Sequence, residues 1–569
     1  MSTSVKLQED QIDEVFHVGL CLAGAISAGA YTAGVIDFLL EALEEWERRK
    51  TSDPQNTPLH KVKIPLIGGA SAGGMTALIA AAAMYRDHQP VRYRPDIDVH
   101  KERPENPFFH SWVDLLDTDM FPILLDPQDI NDHGTRSLFN SDFIDRIADR
   151  TIVQEGEWVQ RNYVEDQLKI FTTLTNLEGF RFNITFNAAN GGGRHYYMSS
   201  HADIACFKLN GSDYGNDGWI PLDLSTGLNL EAARNAAMAT GAFPIGLRAR
   251  GLGRTSQHVN DIRWIKALTG LNPIAVDPYS SFNVDGGLID NEPFEKVRDI
   301  LNGITGEGEK RMPSGRYDFD DYSSTRSTVL LVDPFPSTQS DFKASDGIVD
   351  VIGHTMGAVM GHLRLKSAHL ADAFHSQKAG QFAIAPSRSI PMNGNAAEKR
   401  VGSAAIACGT LGGFGGFIHR EFRVHDFFLG RANCQKFLRD QFTIPESASN
   451  SIIQKGYAHI GDRARFRSRT DAEPGLQIIP LFEDLPPAMP IPRFENGSDW
   501  PVRRAKEIKR FRPLVKRRVD AMIGDLVETQ GLDSFLLWVG RKIFMSGKAA
   551  DMVMGKMEGS LREHHLWKE

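Results

Sequence analysis

The stretch VKIPLIGGASAGGMTALIAAAAMY, Val62 to Tyr85, decides the fold class. Val62 to Ile67 is a short apolar, β-branched run. Gly68 to Gly74 places four glycines and two alanines around Ser71, and Met75 to Tyr85 is an Ala-rich run of helix formers. Strand, glycine turn and buried helix in that order predict one βα unit. Pro65 cannot donate to a sheet ladder, so the strand is expected to be irregular there. The uncharged runs Gly19 to Ile36 and Ile64 to Tyr85 raise a membrane-spanning alternative on length. Repeated glycines, and Pro65 in the second run, weaken a continuous helix and argue against it.

Upstream, Phe16 to Leu22 is a second strand candidate, Ala23 to Gly29 a loop of small residues, and Tyr31 to Trp46 a helix. Two such units in succession imply a mostly parallel sheet flanked by helices, an α/β fold. Further along, Lys169 to Thr175 and Phe180 to Phe186 are expected as a hairpin closed by Asn176 to Gly179. Leu230 to Thr240 and Gly347 to Phe374 are expected as helices, and Ser281 to Val284 and Thr328 to Val332 as strands. Ser403 to Phe442 is expected as a helical stretch broken at Gly412, Gly413, Gly415 and Gly416.

These elements suggest a tail at 1–14, a main α/β domain at 15–335 with a helical insertion at about 86–166, a helical extension at 336–480, a Pro-rich linker at 481–501 and a basic helical tail at 502–569. The chain has 569 residues and a net charge of −8, with 64 Lys plus Arg against 72 Asp plus Glu. No global basic field favours nucleic acid. The tail departs from this balance, with 15 Lys plus Arg against 9 Asp plus Glu. Cys21, Cys206, Cys408 and Cys434 are scattered and lack metal-ligand spacing, which suits a reducing compartment. The first residues lack the basic start and apolar stretch of a secretory signal, so a cytoplasmic location is expected.

Gly69-Ala70-Ser71-Ala72-Gly73 fits the G-x-S-x-G elbow, in which a sharp strand-to-helix turn lifts a serine hydroxyl clear of the sheet. Such a serine needs a base and an oxyanion hole. The amides of Gly24, Ala25 and Ile26, with that of Ala72, are candidates for the hole. Asp285, at the end of a strand and followed by Gly286 and Gly287, is the candidate base.

Taken together, AGAISAGAYTAGV (Ala23 to Val35), GASAG (Gly69 to Gly73) and DGGLIDNEP (Asp285 to Pro293) resemble the patatin-like phospholipase family, as does AAMATGAFPIG (Ala236 to Gly246). The glycine loop departs from the usual form, with Gly24-Ala25-Ile26 where three glycines are usual and Ala28 where an arginine is usual, while Gly29 matches; its pattern of Ser27, Tyr31 and Gly34 resembles a bacterial branch. The resemblance implies lipid acyl ester hydrolysis by a dyad of Ser71 and Asp285, with no metal or cofactor and a phospholipid or lysophospholipid substrate. Two alternatives compete with it: an inactive lipid-binding protein, and a soluble esterase or thioesterase whose triad is completed by His354 or His425. The basic tail adds a membrane expectation. Arg503, Arg504, Lys509, Arg510, Lys516, Arg517 and Arg518 can draw the chain to an anionic surface on the inner face of a membrane, and Phe535, Trp538, Ile543 and Phe544 can anchor it there.

Overall fold

A computed structural model describes residues 14–93, 106–115, 119–152, 159–187, 193–211, 215–270, 272–306, 322–336, 381–392, 395–469, 474–486, 488–530 and 546–569. Its centre is a nine-stranded, mostly parallel sheet. Strand β1 (Val15–Leu22) pairs in parallel with β2 (Lys61–Gly69) and with β8 (Ser327–Val332), and β2 pairs in parallel with β3 (Val164–Asn187). Beyond β3 lie β4 (Gly193–Leu209) and β5 (Ile220–Leu222), and beyond β8 lies β9 (Gln381–Ile384). An antiparallel pair, β6 (Arg250–Arg254) and β7 (Tyr279–Asp285), joins through β7 to β3.

The two βα units fall where the sequence puts them. Helix α1 (Gly29–Ser52) follows β1, and α2 (Ala72–Met84) follows β2. The proline leaves its mark: pairing of β2 shifts between Ile64 and Leu66, on either side of Pro65, and β1 shifts between His17 and Gly19 opposite it. Among the described residues, the one helix long and apolar enough to cross a membrane is Ile26–Ser52, and 94% of its apolar window is buried inside the fold. Its apolar length serves the core.

The hairpin expected within 169–186 does not form. Asn176 to Gly179 bulges out of β3, the Asn176 side-chain oxygen accepting from the Glu178 and Gly179 amides at 3.1 Å, and Gly179 takes φ +75°. Because this local turn returns the chain to its own direction, Phe180 to Asn187 continue β3 and pair with Gly193 to Ser200 of β4. Helix α3 (Leu230–Thr240) matches its expected span, and α4 (Phe294–Thr305) packs on β1 with Val297 and Leu301 against Gly19. The expected helix at 347–374 lies outside the described residues.

The C-terminal part shares the main core. Helix α5 (Arg420–Asp440) packs along α1 so closely that a Cβ on Gly34 would overlap the Phe427 carbonyl, and one on Gly430 would overlap that of Tyr31. Arg431 of α5 forms ion pairs with Asp37 and Glu41 of α1, all three buried. The Pro-rich stretch expected as a linker is packed instead, burying Phe482, Phe494 and Trp500. Helices α6 (Arg512–Gln530) and α7 (Ser546–Glu563) complete the C-terminal end.

Candidate active site

Ser71 sits between the end of β2 and the start of α2 with φ +51° and ψ −127°, a conformation that costs a non-glycine residue about 1–3 kcal/mol. Its neighbours enforce it. A Cβ on Gly69 would lie 2.6 Å from the Gly73 carbonyl carbon, and one on Gly73 would lie 2.6 Å from the Ala23 carbonyl oxygen. Only glycine on both sides lets the strand end and helix start approach this closely. The Ser71 amide donates to the Thr240 hydroxyl of α3 (2.8 Å), and the Ala70 amide donates to the Leu22 carbonyl at the end of β1 (3.1 Å).

Asp285 ends β7, where Leu174 of β3 pairs with it. Its amide donates to the Ala242 carbonyl (2.9 Å) and its carbonyl accepts from the Thr175 hydroxyl (2.8 Å), so the backbone is fixed on both sides. The carboxylate then does two things. Oδ1 accepts from the Gly287 amide at 2.7 Å, and Oδ2 accepts from the Ser71 hydroxyl at 2.6 Å. Both residues are buried. Gly286 has no room for a side chain against the Thr173 carbonyl.

The expected oxyanion loop needs one correction. Gly24 donates its amide to the Asn291 carbonyl (3.2 Å), tying the loop to the acid motif and removing this N–H from the expected set. Among the described residues, the amides of Ala25, Ile26 and Ala72 donate to no backbone carbonyl. Ile26 adopts φ +49° despite its β-branch. Ser27 holds it there: its hydroxyl donates to the Gly413 carbonyl and accepts from the Gly416 amide (3.0 Å). Gly29 matters for another reason, since the Trp112 ring occupies the space of a Cβ.

Ser71 and Asp285 open into a cleft enclosing about 700 Å³ of empty space, its mouth included. The wall is chiefly apolar, with Met75, Ile79, Trp112, Leu115, Phe143, Ile144, Ile147, Phe243, Leu247 and Phe417. Half of these residues come from the segment anticipated as an insertion. Among the described residues lining the cleft, Arg423 of α5 is the cation: it donates from Nε to the Val113 carbonyl (2.8 Å) and from Nη1 to the Gly416 carbonyl (2.5 Å). Burial lowers its pKa to about 10, which leaves it charged at neutral pH. Among the described residues lining this cleft there is no histidine. His425 turns elsewhere, with Nδ1 on Asp426 Oδ1 (2.7 Å) and its ring edge-on to Trp500 (4.8 Å). The Asp426 carboxylate in turn accepts from the Ala407 and Cys408 amides. His354 lies outside the described residues.

Gly413, Gly416 and Arg423 were not legible as site residues, whereas Ser27, Thr240 and Asn291 lie in the quoted motifs without a role assigned to them there. For Gly413 and Gly416 the signal was the glycine cluster at 412–416, which reads as helix breaks until the fold brings it to Ser27.

The basic tail is also revised. Arg503 is buried against Glu421, and Arg518 is buried against Asp129, so both fasten the chain rather than face outward. Arg510 pairs with Asp119 and Lys516 with Asp520 (2.8 Å), while Arg504, Lys509 and Arg517 are exposed. Phe535, Trp538, Ile543 and Phe544 lie outside the described residues.

A family model described as Patatin-like phospholipase matches residues 20–298. Among curated proteins, the uncharacterized protein y4iI of Sinorhizobium fredii is 30% identical over 595 residues, covering 95% of this chain and 81% of that protein.

Proposed function

Because residues 20–298 make the chain a member of the patatin-like phospholipase family, we propose that it hydrolyses the acyl ester bonds of phospholipids or lysophospholipids with Ser71 as nucleophile and Asp285 as base. The observation that carries this reading is the 2.6 Å hydrogen bond from the Ser71 hydroxyl to Asp285 Oδ2, made by a serine on a strained elbow at an apolar cleft.

Asp285 Oδ2 takes the Ser71 proton as Oγ attacks the ester carbonyl. The carbonyl π pair moves onto oxygen, and the amides of Ala25, Ile26 and Ala72 meet the oxyanion. Collapse expels the alcohol, protonated by the Asp285 carboxyl, and leaves an acyl-serine. Water, deprotonated by Asp285, then attacks the acyl-serine; the second collapse returns the proton to Ser71 Oγ and releases the fatty acid. The Oδ1 bond from Gly287 keeps the carboxylate oriented through both half-reactions. A wall of aliphatic and aromatic side chains suits the acyl chain, whose burial stabilises binding by about 0.8 kcal/mol per methylene.

Exposed Arg504, Lys509 and Arg517 support attraction to an anionic lipid surface, worth roughly 1 kcal/mol per basic residue close to it. The reading places the enzyme on the inner face of a membrane. Its test uses mixed phosphatidylglycerol and phosphatidylcholine vesicles, with free fatty acid and lysolipid measured by mass spectrometry. Wild type is expected to release both, and Ser71→Ala and Asp285→Asn to lose at least about a hundredfold in rate. A folded wild type that binds vesicles, releases no acid and leaves Ser71 unlabelled by a fluorophosphonate overturns the reading.

A further inference from the structure

Ile245 is β-branched, adopts φ +67° and leaves 70% of its surface exposed. The first two properties conflict, since a β-branched residue resists the left-handed region. The third removes the usual compensation of a buried contact. Strain retained at an exposed apolar side chain points to a use outside the fold.

The placement of Ile245 indicates that use. Phe243 and Leu247, two residues to either side, both line the Ser71 cleft, whereas Ile245 does not. The Leu247 amide donates to the Phe243 carbonyl (2.8 Å), closing a tight turn with Ile245 at its outer side. Beside it stands Leu138, 45% exposed, whose amide donates to the Ile245 carbonyl (2.8 Å). Arg518 of α6 holds the Leu138 carbonyl from the other side (3.0 Å). Beneath this pair, Phe139 and Phe243 both pack on Phe414, with ring centroids 5.9 and 5.4 Å apart. An apolar path therefore runs from two exposed side chains, through an aromatic wall, to the cleft that holds Ser71.

We propose that Leu138 and Ile245 form a hydrophobic lip that dips into a phospholipid bilayer and delivers single lipid molecules to the Ser71 cleft. The occupant is a bilayer rather than a protein because the lip is continuous with a cleft wall suited to an acyl chain, and this inference rests on the acyl-hydrolase reading. A rigid, tethered lip lowers the cost of drawing a lipid out of the bilayer by offering the acyl chain apolar surface along its way.

The test compares wild type, Ile245→Gly, Ile245→Asn and Leu138→Asn in the full-length chain. Binding is measured by co-sedimentation with phosphatidylglycerol–phosphatidylcholine vesicles in a Ser71→Ala background, so that it is read without hydrolysis. Turnover is measured separately on a short-chain water-soluble ester and on the vesicles. Each lip variant is expected to lose about tenfold or more in vesicle partitioning, the size expected for withdrawing one large aliphatic side chain from lipid. Vesicle turnover falls with it, while soluble-ester turnover stays within about twofold. Ile245→Gly carries the sharpest expectation, because glycine accepts φ +67° freely: the melting temperature holds or rises slightly while vesicle binding falls. Unchanged vesicle partitioning in Ile245→Gly overturns the lip, as does a parallel loss on soluble ester and vesicles. A second copy bound through this face, seen as a wild-type dimer that Ile245→Asn separates without change in vesicle binding, overturns it too. If wild type hydrolyses neither substrate yet partitions onto vesicles through Ile245, the acyl-hydrolase reading fails while the lip stands.

Discussion

The two glycine-rich turns of the site solve the same problem in opposite ways. Each follows a central parallel strand, each leads into a buried helix, and each holds a non-glycine residue in the left-handed region, Ser71 at φ +51° and Ile26 at φ +49°. At the elbow the cause is local. Gly69 and Gly73 have no space for side chains, and the strand end, helix start and Thr240 leave Ser71 one arrangement. At the Ile26 loop the cause is remote: the Ser27 hydroxyl bridges Gly413 and Gly416, and a Cβ on Gly413 would lie 3.3 Å from Ile26. Arg423 then holds the Gly416 carbonyl. The Ser71 turn is thus built within the family-matched residues 20–298, whereas the Ile26 loop is braced by residues more than a hundred positions beyond them. Strain can be kept by steric necessity or by docking, and only the second can be undone without rebuilding the turn.

The largest expected effect lies at the elbow. Gly73→Ala drives a methyl against the Leu22 and Ala23 carbonyls, which belong to backbone and cannot swing away. Destabilisation of about 3 kcal/mol is expected, together with loss of Ser71 labelling by a fluorophosphonate. Thermal melting and probe labelling measure the two together. A Gly73→Ala protein with wild-type melting and labelling breaks the claim that the elbow is sterically enforced.

An intermediate effect is expected at the loop. Ser27→Ala leaves the buried Gly416 amide without its acceptor and frees Ile26 to relax, so kcat on a soluble ester is expected to fall about ten- to hundredfold with KM little changed. Hydrogen exchange sharpens the comparison. Peptides covering 23–29 and 411–417 are expected to exchange faster in Ser27→Ala while the peptide covering 69–75 keeps its protection. Equal loosening of both turns would mean that they are one cooperative unit rather than two differently held ones.

This difference also explains what was legible in the sequence. The elbow, the first βα units and Asp285 announce themselves because their causes are short-range: glycine next to serine, apolar runs of strand or helix length, an acid at a strand end. Even the disturbance at Pro65 follows from one missing N–H. The hairpin at 169–186 was misread because Asn176 to Gly179 carries turn chemistry that a bulge uses equally well. Gly413, Gly416 and Arg423 were invisible as site residues, and the role of Ser27 within its motif unreadable, because these roles exist only after the C-terminal part has docked, and a one-dimensional pattern carries no trace of that contact. The buried Arg503 and Arg518 show the same limit, since a run of basic residues does not say which of them will find a carboxylate.

The smallest expected effect, and the most selective, comes from acid. His60 and His419 are both depressed to a pKa of about 3, chiefly by burial, with Lys50 adding to the effect at His60 and a group of arginines led by Arg503 adding to it at His419. His60 lies between Trp46 of α1 and Tyr457, with Nε2 on the Ile478 carbonyl (2.8 Å). His419 caps α5, Nδ1 accepting from the Glu421 amide (3.2 Å), just after the turn that braces Ser27. Both therefore stand where the C-terminal part meets the rest. A histidine with a folded pKa below its ordinary 6.5 binds fewer protons in the fold than in the unfolded chain. Stability is accordingly full above about pH 7 and declines as pH falls through 6.5 toward 3, by about 0.8 kcal/mol for each histidine at pH 6. The loss falls on the docked side, so between pH 8 and pH 6 protection of peptide 23–29 is expected to drop before that of 69–75. His419→Asn keeps an N-cap acceptor but does not titrate, and it is expected to remove about 0.8 kcal/mol of the stability lost at pH 6. Acid that loosens the elbow first, or a His419→Asn protein with an unchanged pH slope, would move the weak point of the site from the docked loop to the turn that carries Ser71.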